Sequence, residues 1–125
     1  MAGLTLDTGA LIALERGDKR MRARLLTAEQ DGETITVPAI VLGEWWRAET
    51  GRRRAILESV DVEPVSEFLG KLVGEALGAL PGATVVDAVV MASAAQRGDV
   101  VYTSDFEDLD RLHGHFRGVH KVLRV

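Results

Sequence analysis

At 125 residues, 46% of them hydrophobic and 27% charged, residues 1–125 are sized for one domain with a core of its own. The chain has no cysteine, which excludes disulfides, thiolate metal sites and cysteine nucleophiles, and it has no apolar run as long as a membrane span. Its formal net charge of −4, from 15 basic and 19 acidic residues, is opposite to that of most phosphate-binding surfaces, although the signs would balance without the four acids singled out below. The first residues carry no basic segment and Asp7 interrupts their apolar stretch, so no signal peptide is expected and the expected location is cytoplasmic.

Strand-like and helix-like segments alternate from end to end. Gly3–Leu6 predicts a short strand that runs into Asp7 and then into a helix over Ala10–Leu14. Lys19–Gln30 carries Met21, Leu25, Leu26 and Ala28 at helical spacing, and Asp31 and Gly32 break it. The β-branched Thr34–Val37 predicts a second strand. Pro38 suits the first position of a helix, predicted to reach Thr50 and to carry Glu44, Trp45 and Trp46, with Gly51 marking a break before the arginine-rich Arg52–Leu57. Val60–Val65 predicts a third strand, which Pro64 assigns to an edge or an end. Ser66 caps a helix to Leu80, Pro81 and Gly82 make a turn, and Thr84–Gln96 is helical. Val100–Thr103 is a fourth strand, Phe106–His113 a helix and Lys121–Val125 a last strand. Ser104, with Glu107 three residues on, reads as a capping box that turns the chain from strand to helix. Helix-length crossovers suit parallel pairing. The expected fold is therefore a doubly wound, three-layer α/β/α domain around a mainly parallel sheet of four to five strands.

Two strand–acid–helix junctions, at Asp7 and Asp105, put two carboxylates at the carboxyl edge of one sheet, where open α/β sheets assemble their sites. Each acid has a plain alternative role. Asp7 and Asp105 sit where helix caps sit. Asp108 belongs to a solvated face with Glu107 and Asp110, and Glu44 has Arg47 three residues on. Asp87 falls at the third position of a helix opened by Thr84. At about 100° per residue, however, Asp87 shares its side of the helix with Val90, Met91 and Ala94, with Gln96 opposite. An unpaired carboxylate on a face that packs against a sheet is costly. Taken together, four clustered carboxylates repel and raise one another's pKa values. Hard divalent cations held by oxygen ligands resolve that conflict, and Mg²⁺ or Mn²⁺ suits a set without His or Cys. Such ions activate water and stabilise an oxyanion leaving group on phosphorus, so the set suits phosphodiester hydrolysis.

Four segments carry a resemblance: Leu6–Leu14 around Asp7, Val37–Arg47 around Glu44, Val86–Ala94 around Asp87, and Tyr102–Leu109 around Asp105 and Asp108. In order and spacing, over nearly the whole chain, they resemble the PIN-domain ribonucleases, specifically the VapC-type toxins of bacterial toxin–antitoxin pairs. The resemblance implies a PIN-like fold in which Asp7, Glu44, Asp87 and Asp105 are catalytic and hold Mg²⁺ or Mn²⁺, with Asp108 an additional ligand. Thr8 and Ser104 would orient water or ligands. The implied reaction is metal-dependent hydrolysis of single-stranded or looped segments of structured RNA, such as transfer or ribosomal RNA, to 3′-hydroxyl and 5′-phosphate ends, which inhibits translation. The implied partners are a second copy in a homodimer and a neutralising VapB-type antitoxin, with no membrane.

For RNA, the candidate basic residues are Arg16, Lys19, Arg20, Arg22 and Arg24, and the run Arg52, Arg53 and Arg54. A solvated surface explains both sets equally well. Of Trp45 and Trp46, whose rings point about 100° apart on a helix, one is expected in the core and the other along a groove. His113, His115 and His120 receive no role. Two alternatives share the fold. A receiver-like phosphoacceptor domain needs paired acids after the first strand and a lysine ending the last, whereas Asp7 stands alone and Lys121 begins its strand. A catalytically silent PIN scaffold used for binding has no support in the sequence, because all four acids are present.

Overall fold

The computed structural model describes residues 3–125. Five short strands, β1 (Leu4–Leu6), β2 (Ile35–Pro38), β3 (Asp61–Glu63), β4 (Val100–Thr103) and β5 (Lys121–Arg124), form one sheet in the order β3-β2-β1-β4-β5, with every pair parallel. The helices are α1 (Thr8–Glu15), α2 (Lys19–Gln30), α3 (Leu42–Trp45), α4 (Gly51–Glu58), α5 (Glu67–Ala79), α6 (Val85–Arg97) and α7 (Phe106–His113). Central β1 is buried throughout, as a strand flanked on both edges and covered on both faces must be. Edge strand β3 pairs on one side only, and Pro64 directly after it lies where a missing N–H costs no ladder bond.

Chain order fixes the layers. From β1 the chain steps to β2 and β3 in one direction, then crosses back over β1 to β4 and β5. Right-handed crossovers therefore place α1 to α4 on one face and α5 to α7 on the other. The direction reverses between β1 and β4, so the carboxyl ends of these two neighbours flank the topological switch point. On the second face α6 is the central helix, buried without interruption from Ala88 to Ala94. Ser93 is fully buried here, and its hydroxyl donates to Glu63 Oε1 at 2.6 Å. Arg97, half-buried, completes this polar set by pairing with Glu63 and with buried Asp99, whose carboxylate also accepts from Gly3 N and Thr5 Oγ1. Among the described residues no helix is long and apolar enough to cross a membrane.

Three local expectations are corrected. The helix predicted from Pro38 to Thr50 does not form as one piece. Pro38 closes β2 in an extended conformation, Ala39–Val41 makes a 3₁₀ turn, and α3 ends after a single turn at Trp45. Thr50 then caps a separate helix by accepting from Arg53 N at 3.1 Å, so Gly51 opens α4 instead of breaking the chain before it. The capping box of Ser104 and Glu107 is also absent. Asp105 occupies the cap position of α7 without a side-chain cap bond, and Glu107 pairs with Arg124 instead.

Glu15, unremarked in the sequence, ties α1 to both α3 and α4. It accepts from Trp45 Nε1 at 2.9 Å and from Arg53 Nε at 3.1 Å, while its backbone carbonyl accepts from Arg52. Hydrogen bonds from Arg53 hold its carboxyl below the usual range. Trp45 is the tryptophan in the core, 3% exposed, with Trp46 edge-on at 5.9 Å. Glu15→Ala leaves the indole N–H of a buried ring unpaired and is expected to cost about 1–3 kcal/mol. The urea midpoint checks this, and an unchanged midpoint would show that the tie contributes nothing.

Candidate functional site

Asp7 follows β1 and is held by its neighbour strand, its N–H donating to Tyr102 O at 3.3 Å. One carboxylate oxygen, Oδ1, accepts from Ala10 N at 3.0 Å, so Asp7 does cap α1. The other, Oδ2, accepts from the hydroxyl of Thr103, which is fully buried at the end of β4. Thr103 Oγ1 in turn accepts from Asp105 N at 2.8 Å. One threonine hydroxyl thus joins the acids that follow the two switch-point strands. Thr103 was missed in the sequence, where Thr8 and Ser104 are the hydroxyls singled out. Its signal was strand alternation, since Thr103 comes two residues after Val101 and so shares its face of β4.

With only 5% of its surface exposed, Asp7 is poorly solvated. Burial pushes its carboxyl up to about 6, opposed by the hydrogen bonds from Thr103 and Ala10 and reinforced by the charges of Asp105 and Asp87. Asp87 sits in the first turn of α6, its N–H donating to Thr84 Oγ1 at 3.2 Å, so the Thr84 cap is real. Its carboxyl is also raised, by burial first, against a hydrogen bond with Thr84, and then by the charges of Asp105, Asp108 and Glu44.

Glu44 is exposed on α3, where its Oε1 accepts from Thr8 Oγ1 at 2.5 Å. Arg47 does not neutralise it, because the Arg47 Nε donates to the Glu44 backbone carbonyl. Asp108 is exposed on α7, 3.9 Å from Arg111. Asp7 feels the charges of Asp105 and Asp87, and Asp87 those of Asp105, Asp108 and Glu44, so the five acids are neighbours. They remain apart, however: among the described residues no three His, Cys, Asp or Glu side chains are drawn in to the spacing of a metal-ligand set.

Ser104 is exposed and packs against Gly9 of α1, where an added β-carbon would collide with the serine side chain and come within 2.9 Å of its backbone nitrogen. Gly9 therefore lets the β1–α1 and β4–α7 junctions approach closely. In chemistry, though not in spacing, the donors suit a hard divalent cation, being carboxylate oxygens with neighbouring hydroxyls, and the charge repulsion among the acids is what such an ion would relieve.

The basic residues separate into two groups. Arg52 and Arg53 are committed to Glu15, and Arg54 pairs with Glu49 at 2.9 Å. Arg16, Lys19, Arg20 and Arg22 are exposed, while Arg24 is half-buried between Glu33 and the Tyr102 hydroxyl. Comparison with protein-family models and with curated proteins gives no match.

Proposed function

We propose that this chain is a metal-dependent endoribonuclease of the PIN-domain, VapC-toxin type, acting in the cytoplasm on structured RNA such as transfer or ribosomal RNA. The observation that carries this reading is the buried, charge-strained Asp7 at the switch point, with Asp87, Asp105, Asp108 and Glu44 close enough to act on one another electrostatically. No lysine or arginine is paired with Asp7 or Asp87 among the described residues, so a cation from solution is the natural counter-charge. Asp7, Glu44, Asp87 and Asp105 would hold Mg²⁺ or Mn²⁺, with Asp108 as an additional ligand. Such an ion, when bound, supplies an activated water and charge stabilisation at the cut phosphodiester.

The chain's own residues do the positioning. Thr103 fixes the rotamer of Asp7 and ties it to the Asp105 backbone, while Thr8 holds Glu44 toward the start of α1. Hydrolysis by attack of water gives 3′-hydroxyl and 5′-phosphate ends. A homodimer and a VapB-type antitoxin complete the proposal. Phe68 on α5, 64% exposed, is an apolar side chain suited to a protein contact.

Sequencing RNA 5′ ends after expression of the chain, beside its Asp87→Asn variant, tests the activity. New 5′-phosphate ends are expected with the parent only, and identical ends from both chains would reject the proposal. In purified protein freed of divalent ions, millimolar Mn²⁺ is expected to raise the melting temperature. The corresponding stabilisation is about 2.7 kcal/mol when the ion is a hundredfold above its Kd. Absence of a shift would count against these acids as a metal site.

A further inference from the structure

An anionic active site repels the polyanion it is meant to cut, so affinity for RNA has to come from a cationic surface beside it. The structure offers one arginine-rich hollow. A cavity of about 210 Å³ opens between the start of α2 and the ends of β4 and β5, walled by Arg20, Arg24, Tyr102 and Arg124, with Asp18, Met21 and Val125 completing the lining. A second hollow, of about 390 Å³, shares Arg20, Tyr102 and Arg124 and adds Phe106. The two aromatic walls flank the acid site in the chain itself, Tyr102 preceding Thr103 and Phe106 following Asp105.

The side chains here are arranged and not merely crowded. Arg124 lies over the Phe106 ring at 4.3 Å, steadied by Glu107 at 2.9 Å. Arg24 is fixed against the Tyr102 hydroxyl at 3.1 Å. Arg20 forms no ion pair among the described residues and stands exposed at the mouth of both hollows. Rings and guanidinium planes are what unpaired bases stack on, and free arginines are what phosphates pair with.

We infer that this cleft receives one unpaired nucleotide of the RNA beside the bond that is cut, its base on the Tyr102–Phe106–Arg124 side and its phosphate toward Arg20. The inference rests on the ribonuclease reading and adds to it a place for the unpaired base.

The test separates binding from cleavage. A fluorescein-labelled, uridine-rich single-stranded RNA is titrated, without divalent ions, into Asp7→Asn protein and into the same protein carrying Arg20→Ala and Arg124→Ala. The added substitutions are expected to weaken binding about tenfold. The slope of log affinity against log salt should also become shallower, by about one for each phosphate that is no longer neutralised. Lys71→Ala, which removes a cation on α5, away from the cleft, serves as the control and should change nothing. Unchanged affinity in the double variant, or no RNA binding by the parent, overturns the inference and leaves the cleft to a protein partner. Cleavage is not needed for this readout. Loss of the cleft effect with cleavage intact would defeat the subsite alone, and RNA held in the cleft by a chain that never cuts would defeat the nuclease reading alone.

Discussion

Asp7→Asn is expected to make the metal-free protein more stable at neutral pH, by about 1–3 kcal/mol, while reducing RNA cleavage about a thousandfold or more. The stability half follows from where the proton is bound. Below pH 3.8 the carboxyl is protonated in both the folded and unfolded chains. Between there and its raised value of about 6, the folded protein keeps a proton that the unfolded chain has released. Stability therefore falls as pH rises through that window, by up to about 1.4 kcal/mol per pH unit, and stays low above it. Asparagine removes the titration. Its side-chain oxygen still accepts from Ala10 N, and its amide faces the Thr103 hydroxyl. In chelator-treated samples, the parent's unfolding free energy should drop relative to the variant's between pH 4 and pH 6.5. Added Mn²⁺ should restore the parent and leave the variant unmoved. A variant less stable than the parent at pH 7.5 without metal would mean that the ionised carboxylate is already compensated by the protein, and the proposed need for a cation would lapse. Such an exchange of stability for function is common at sites that hold strain.

The two junctions that carry Asp7 and Asp105 were legible in the sequence, because strands that end in an acid leave a pattern there. Val100–Thr103 and Phe106–His113 match their elements residue for residue, since the alternation and the helical spacing there are undisturbed. The parallel pairing of the strands could be anticipated from crossover lengths alone. What failed was set by contacts distant in sequence. The segment from Pro38 to Thr50 has the composition of one helix, yet only Ala39–Trp45 is helical, as a 3₁₀ turn and a single α turn, and the bond from Trp45 to Glu15 on α1 fixes the point where it stops. The Ser104 cap lost to a long-range fit: Gly9 of α1 packs against Ser104, and the Glu107 carboxylate is taken by Arg124 of β5. The arginine run Arg52–Arg54 looked as available as the α2 arginines, and only the positions of Glu15 and Glu49 distinguish them.

Thr103→Val is expected to destabilise the protein more at pH 8 than at pH 5, and this pH dependence identifies the hydroxyl as a setter of the Asp7 charge. The swap keeps the shape of the side chain and deletes one oxygen. The Asp7 carboxylate loses a donor and the Asp105 N–H loses its acceptor. Each group left unpaired costs about 1–3 kcal/mol where it stays buried. The missing acceptor costs the same at any pH. The missing donor does not, because the Thr103 hydrogen bond is what holds the Asp7 carboxyl down against burial. Without it the carboxyl rises further above 6, so the variant keeps losing stability over a wider span of pH, while below that span the acid is protonated and the loss is small. Urea unfolding of chelator-treated protein at the two pH values reads the difference directly. Thr103→Ser, which keeps the hydroxyl, should recover most of the pH-dependent part. An equal cost at both pH values would reduce Thr103 to a packing residue and detach it from the chemistry of the site.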